Sequence, residues 1–410
     1  MTNLPIQEED NSYISNSDYI IQTLILDLTL ENFENTKREL NSIYNDEKTD
    51  TFFTDLFSQI IFAVKIRINK VKILCSFTCQ FFETYSLQEL QKNELLEHLI
   101  YIFPDNDTYL TESYRLFFLN LLLKENFFDV EKVINLFWKL FHNFSGISHY
   151  LSLIFIWFAP EIEKVNPIFF NEFHTYFVSI WEFEYTSLLI YNVFTNFDKY
   201  RENDWKFLRE HREFEYHESS ASYFIANDMI DELQNLINHS KIDLDSRDSP
   251  SSYEWRTFLQ KCPTYLQIAA FFGSIRCFKY LLLNGARLDN NDFEGKTIVH
   301  FAVAGGNNEI IRILHQMNIS FSGTLQVAAL FHRNDVFNWI LENNISQLDE
   351  FHEVTGYVIH QASISMNYSI LNLCFSQKID VNCCNSDGIF YLFLLDITSL
   401  CIILQPFKNC

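Results

Sequence analysis

Apolar residues recur at intervals of three and four through most of the first half of the chain, as in Leu116, Phe117, Leu119, Leu121, Leu122 and Leu123. That spacing lines one face of a helix. From about Asp18 to His217 it predicts one short helix after another, roughly eight in all, packed by Phe and Leu. Local signals punctuate the run. Ser86 with Glu89 fits a capping box, and Pro104, Asp105 and Asn106 form a breaker. Asp129 precedes Val130-Glu131 as a helix start, and Asn166 precedes Pro167, a residue that suits a first helical turn. Strand signals are weak, with no Asn-Gly or Asp-Gly pair before residue 284.

The second half carries a different order. Thr264, Ala269 and Gly273 recur 33 residues later as Thr297, Ala302 and Gly306. A fixed period of this length marks stacked helical units. In the clearest unit Thr264 can cap a first helix, and the pair Ala269-Ala270 admits a close neighbour. Gly273 then breaks that helix, Leu281 and Leu282 bury a second one, and Gly285 ends it. The next unit runs from Asp292-Phe-Glu-Gly-Lys-Thr297 through Ala302 and Gly306 to Leu314. In a third, Ala328 follows Ala302 by only 26 residues, so its connection must be trimmed; a fourth restores 34 at Ala362. Upstream, Tyr223 to Asn238 reads as a degenerate first unit whose second helix, Ile230 to Ile237, is amphipathic. The stretch Ser246 to Lys261 is a longer loop than the period needs.

These residues resemble the ankyrin repeat, whose pattern is D-x-x-G-x-T-P-L-H-x-A-A-x-x-G, a second helix ending in L-L, then G-A-D-x-N. The chain shows Asp292-x-x-Gly295-x-Thr297, Leu266, His300, His360, Ala269-Ala270, Leu281-Leu282 and Gly285-Ala286. It departs where Tyr265 or Ile298 replaces Pro and where Gln267 and Gln326 replace His, which is expected to weaken the turn network between neighbours. The run Ala270 to Asn284 resembles the large ankyrin-repeat families of trichomonad-type protists, in which a helical region of unknown function precedes the repeats. The resemblance implies an all-α fold, a helical N-terminal region followed by an ankyrin-repeat α-solenoid. It divides the chain into a polar tail (1–17), a helical domain (18–217), repeats (218–388) and an apolar divergent segment (389–410). The repeats comprise a degenerate unit at 221–246 and units starting near 264, 297, 323 and 357. The resemblance also implies protein binding on a concave face of fingers and first helices. Carried over by position, that face holds Phe271, Phe272, Phe293, Glu294, Lys296, Ala304, Gly305, Leu330 and Phe331. The rival account of these Phe is contact with one another or with the helical half.

Composition adds constraints. Hydrophobic content of 48% suffices for a core, and 42 Phe and 20 Tyr against 9 Gly and 7 Pro suggests codons rich in A and T. A net charge of -23 repels phosphate backbones, so no nucleic-acid partner is expected. The densest basic stretch, Arg201 to Arg212, interleaves Glu202, Asp204 and Glu210 and reads as a charged, solvated helix face. Nine Cys without a framework fit reduced thiols and a cytoplasmic setting, and Met1 to Tyr13 lacks an apolar signal region. Tyr150 to Ala159 is too short to span a membrane. Ile389 to Phe407 is about long enough by the ~20-residue rule but carries Asp396 mid-way; a decayed last repeat leads over a tail anchor there.

Candidate chemistry is sparse. Cys75 and Cys79 share a helix face but have no second pair, so core packing is favoured over a metal. His211 and His217 stand among Glu210, Glu213 and Glu215 as a solvated linker helix. The stripe Phe169, Phe170, Phe173, Tyr176 and Phe177 reads as a core face. Cys383-Cys384 are adjacent and make a poor metal site. No nucleotide loop, zinc motif or nucleophile elbow is present. The expectation is a non-enzymatic interaction scaffold that binds a protein partner, with no cofactor, catalytic residue or metal. The alternatives are a tail-anchored adaptor using 389–407, or an enzyme with its site in the N-terminal helices.

Overall fold

A computed structural model describes residues 16–47, 51–85, 89–100, 113–143, 149–181, 197–213, 220–240, 242–247, 253–343 and 357–376. Among them the fold is all-α with no strand; one isolated antiparallel bridge joins Arg247 and Thr264. The chain divides into two compact units, Leu28–Ile319 and the pair of segments Met1–Asp27 and Ser320–Cys410. The division does not fall near residue 218, because described helices on both sides of that position belong to the first unit. The expected capping box at Ser86, the breaker at 104–106, His217 and everything after 376, including Cys383-Cys384 and the 389–407 segment, lie outside the described residues. No described helix is long and apolar enough to cross a membrane.

In the first unit the helices are α2 (Phe33–Glu47), α3 (Phe52–Ile66), α4 (Val71–Thr84), α5 (Glu89–Ile100), α6 (Ser113–Lys124), α7 (Val130–Asn143), α8 (His149–Val165), α9 (Pro167–Trp181) and α10 (Phe197–Glu213). Helix α3 lies at the centre of the first group and packs on α4, α5 and α6, burying Phe52, Leu56, Phe57, Ile60 and Val64. Helix α8 is buried along Tyr150–Ala159 and packs on α6, α7, α9 and α10. The predicted starts are in place. Asp129 Oδ1 accepts from the Glu131 amide (3.0 Å) and Asn166 Oδ1 from the Phe169 amide (3.0 Å). Phe169, Phe170, Phe173 and Phe177 are buried as a core face.

The Arg201–Arg212 stretch is solvated along one face, where Arg201, Glu202, Asp204, Lys206 and Glu210 are exposed. Arg212 corrects the expectation: it is buried and donates to Trp157 O (2.6 Å) and to both oxygens of Glu161 (3.0 and 2.8 Å). Arg201 pairs with Glu163, and buried Trp205 donates to the same carboxylate (2.6 Å). To bring these groups onto α8 the chain makes a left-handed turn, with φ of 52, 56 and 59 at Asn203, Asp204 and Trp205.

The unit continues through paired helices: α11 (Ala221–Ala226) with α12 (Ile230–Ser240), α13 (Tyr265–Phe272) with α14 (Ile275–Leu283), and α15 (Ile298–Gly305) with α16 (Asn308–Gln316). The first helices pack in order, α11 on α13 and α13 on α15. The second unit holds α1 (Asn16–Leu26), α17 (Leu325–Leu330), α18 (Asn334–Asn343), α19 (357–364) and α20 (Tyr368–Ser376). There α1 buries Ile21 and Ile25, and Gln22 Nε2 donates to Met366 O (2.6 Å).

One turn links the two helices of every pair. Its central residue is left-handed and donates its amide back to the first helix, and at most of these turns the next residue does so too. At Gly273 (φ 71) the bonds run from Gly273 to Ala270 (3.3 Å) and from Ser274 to Ala269 (2.9 Å). Asp228, His332 and Met366 repeat the pattern with φ of 51, 50 and 49, and Gly306 takes φ 74. The polar residues at or beside the turn also tie successive helix pairs together. Asp228 Oδ1 accepts from Cys277 N (2.9 Å), Asn307 Nδ2 donates to Gly273 O (3.1 Å), and Asn367 Nδ2 donates to Ala329 O (2.9 Å). A left-handed conformation costs a residue with a Cβ roughly 1–2 kcal/mol. Met366 bears that cost, so Met366→Gly should relieve it and raise unfolding stability by about 1 kcal/mol, read as a higher Tm in thermal denaturation.

Candidate functional site

The residues of the expected face lie on the first helices and on the connection that precedes α15. Thr264 caps α13 as expected: its hydroxyl accepts from Gln267 N (3.3 Å) while Gln267 Oε1 accepts from Thr264 N (2.8 Å). Gln267 corrects an expectation. The turn network is not weakened there, because Gln267 Nε2 donates to Asn290 O (3.0 Å) and Lys296 O (3.1 Å) in the next connection. An amide reaches both the cap and the neighbour. Thr324 differs in the other direction: it donates its hydroxyl to Phe321 O (2.6 Å) and does not cap α17.

The connection before α15 is a tight finger. The carboxylate of buried Asp292 accepts from the amides of Glu294 (2.9 Å) and Lys296 (2.7 Å), and Gly295 takes φ 81 at the tip. Burial raises the Asp292 pKa even though these amides oppose it. Phe293 projects from the tip, 67% exposed, with the Arg247 guanidinium 5.5 Å from its ring centre. Beside it Glu294 forms ion pairs with Lys261 (3.0 Å) and with Lys296. Partial burial pushes the Glu294 pKa up, but the two lysines outweigh it and leave it lowered.

Only part of the expected face is available. Phe293 and Glu294 are exposed, and Phe272, Lys296, Gly305 and Leu330 are partly so. Phe271 (3%), Ala304 (1%) and Phe331 (3%) are buried, which corrects their placement on an open surface. Leu330 and Phe331 belong to the second unit, the others to the first. Gly305 has a packing role: a Cβ there would stand 2.5 Å from both Ala270 O and Phe271 O. It is the position where α15 meets α13 backbone to backbone.

What covers Phe271 was not legible as a site residue. The Ser246–Lys261 stretch is not a plain loop. Tyr253, Glu254, Trp255, Arg256, Phe258, Leu259 and Gln260 are all buried. Its first part faces the N-terminal helices: Trp255 stacks on Phe117 (4.7 Å, 6°), and Tyr253 meets Trp157 edge-on and donates to Ile156 O (3.3 Å). Its second part faces the repeats. Phe258 stacks on Phe271 (6.0 Å, 10°) and meets Phe301 edge-on (5.5 Å, 76°), with Lys296 Nζ 5.2 Å from its ring centre. Arg256 lies over Phe272 (4.9 Å) and forms a buried bidentate pair with Glu254 (2.6 and 2.8 Å). The available signal was the density of Tyr, Trp, Phe and Leu in a segment whose length alone suggested a surface loop.

Elsewhere, Cys75 is buried on α4 and donates its thiol hydrogen bond to Cys79, which raises Cys75 and lowers Cys79. No group of three His, Cys, Asp or Glu side chains positioned for a metal occurs among the described residues.

A family model described as Ankyrin repeats (3 copies) matches residues 266–350. The span takes in the finger, α13 to α18 and the turns between them. No curated protein matches the chain.

Two tests follow from this geometry. A methyl at Gly305 meets rigid backbone, so Gly305→Ala should lower unfolding stability by about 1–3 kcal/mol in urea denaturation. His300 caps α15 through Nδ1, which accepts from Thr297 N (3.2 Å) and is therefore unprotonated. Burial, with the charge of Lys296, lowers its pKa below the ordinary value near 6.5. The folded state thus binds fewer protons than the unfolded state there. The stabilisation is complete above about pH 6.5 and is lost as pH falls through the folded value. His300→Gln, which copies Gln267, should keep the cap and flatten the loss of stability as pH falls below about 6.5. His98 and His174, also lowered by burial, leave a residual slope.

Proposed function

We propose that this protein is a non-enzymatic interaction scaffold whose ankyrin repeats bind a protein partner through the finger that carries Phe293, Glu294 and Lys296. The observation that carries this reading is a large aromatic side chain held out of the core at a fixed finger tip, within the span that matches ankyrin repeats. Repeats of this kind generally mediate protein–protein interaction. Phe293 supplies apolar area, and interface energy concentrates in such aromatic anchors. Its ring is already placed by Arg247, and Glu294 by two lysines, so little side-chain freedom is left to lose on binding. The net charge of -23 makes a neutral or basic protein surface the better partner.

The burial of Phe271 and the cover over Phe272 move the emphasis from the first helices to the finger. Double substitution of those two Phe would disrupt packing and test folding instead of recognition. The informative variant is Phe293→Asp. Partners captured by the wild-type chain from lysate would be identified and their affinities measured for both proteins. Removing an aromatic anchor should weaken binding at least about tenfold, a loss of ~1.4 kcal/mol or more. Folding stability should stay within about 0.5 kcal/mol of wild type, as for an exposed position. A folded variant that keeps full affinity would remove the finger from the interface.

A further inference from the structure

The segment that covers the first helices has the features of a ligand. It lies across α13 and α15, and it meets them through an arginine and an aromatic residue two positions apart, Arg256 and Phe258. The phenyl ring of Phe258 enters a seat made by Phe271, Phe301 and the ammonium of Lys296. The guanidinium of Arg256 stands over Phe272 at cation–π distance, 4.9 Å from the ring centre. Arg256 and Glu254 neutralise each other within the segment, so the charge pair travels with it. Lifting the segment off α13 and α15 therefore strands no member of that pair on the repeats.

We propose that the face formed by α13 and α15 is a recognition seat for an arginine followed two residues later by an aromatic, and that Arg256-Thr257-Phe258 is the ligand it holds in the closed molecule. A protein partner that carries the same pair in an extended segment competes for the seat. The proposal rests on the reading that these repeats take protein ligands, and it adds the chemistry of the ligand. It also explains why Phe271 and Phe272, at positions where the family exposes its first helices, are covered here. An intramolecular ligand on a short tether acts at an effective concentration on the order of millimolar. Only tight or abundant competitors gain access, which makes the tethered segment a filter on affinity.

The test uses the full chain and a labelled synthetic peptide with the sequence of residues 253–261. In the Phe258→Ala chain the seat loses its internal occupant. The peptide should bind that variant at least about tenfold more tightly than it binds wild type, by fluorescence anisotropy, because the tethered competitor is impaired. A peptide with Ala at the positions of Arg256 and Phe258 should not bind. Equal binding to both chains, or no binding to a variant that melts cooperatively, overturns the proposal.

A second measurement avoids the variant altogether. Isotope-labelled peptide in excess should accelerate amide hydrogen exchange in the wild-type chain's own 253–261 segment, resolved from the peptide by mass. Unchanged exchange at saturating peptide overturns the proposal even if Phe258→Ala fails to fold. The assay needs no natural partner, and Phe293 lies outside the seat. Loss of the finger reading and loss of the seat reading are therefore separately visible.

Discussion

Two aromatic stacks set the arrangement of the first unit. Trp255 lies on Phe117, and three residues later Phe258 lies on Phe271. The short run between them faces the N-terminal helices with one end and the repeats with the other. Each stacked pair contributes about 0.5–1.5 kcal/mol beyond the burial of its rings. The run also carries a buried ion pair, Glu254 with Arg256, whose desolvation is costly and whose disruption would leave an uncompensated charge. Rings and charges together seat the segment against both neighbours. The helices before it and the two helix pairs that directly follow it belong to one compact unit.

Within the repeats, backbone geometry is conserved where side chains are not. The same left-handed turn is closed by Gly273, Gly306, Asp228, His332 and Met366. The same cap is closed by a glutamine amide at Gln267 and by an imidazole at His300. What the stack requires is an acceptor for one amide and, at Gln267, donors for two carbonyls. Close approach is the stricter demand. At Gly305 no substitute for a missing Cβ exists, since two carbonyl oxygens occupy the space.

The features legible in the sequence are those decided within a few residues. Thr264, Gly273, Asp129 and Asn166 act over one helical turn, and each does what its type and position imply. Gln267 was read as a loss because a pattern of letters prizes His, while the physics asks for a donor and an acceptor at the right reach. The errors of placement are non-local. Arg212 reads as solvated because its neighbours in sequence are charged, yet Glu161 and Trp157 O lie 51 and 55 residues away. Phe271 reads as open because nothing in its own helix says that Phe258 covers it. The 246–261 stretch was measured against a repeat period and therefore seen as excess length. Of the candidate face, Phe293 and Glu294 on the finger are the fully exposed members.

In the second unit, the hydrogen bond from Gln22 to Met366 joins residues 344 apart in sequence. A ribosome adding about 5–20 residues per second needs roughly 20–70 s to cover that distance. Helix α1 is made that much earlier than Met366, with Ile21 and Ile25 apolar. During that interval it must be shielded by other parts of the nascent chain or by chaperones. The unit it belongs to is thus completed only after the first unit has been made, and the order of synthesis, as much as the final packing, sets how exposed the chain is to aggregation.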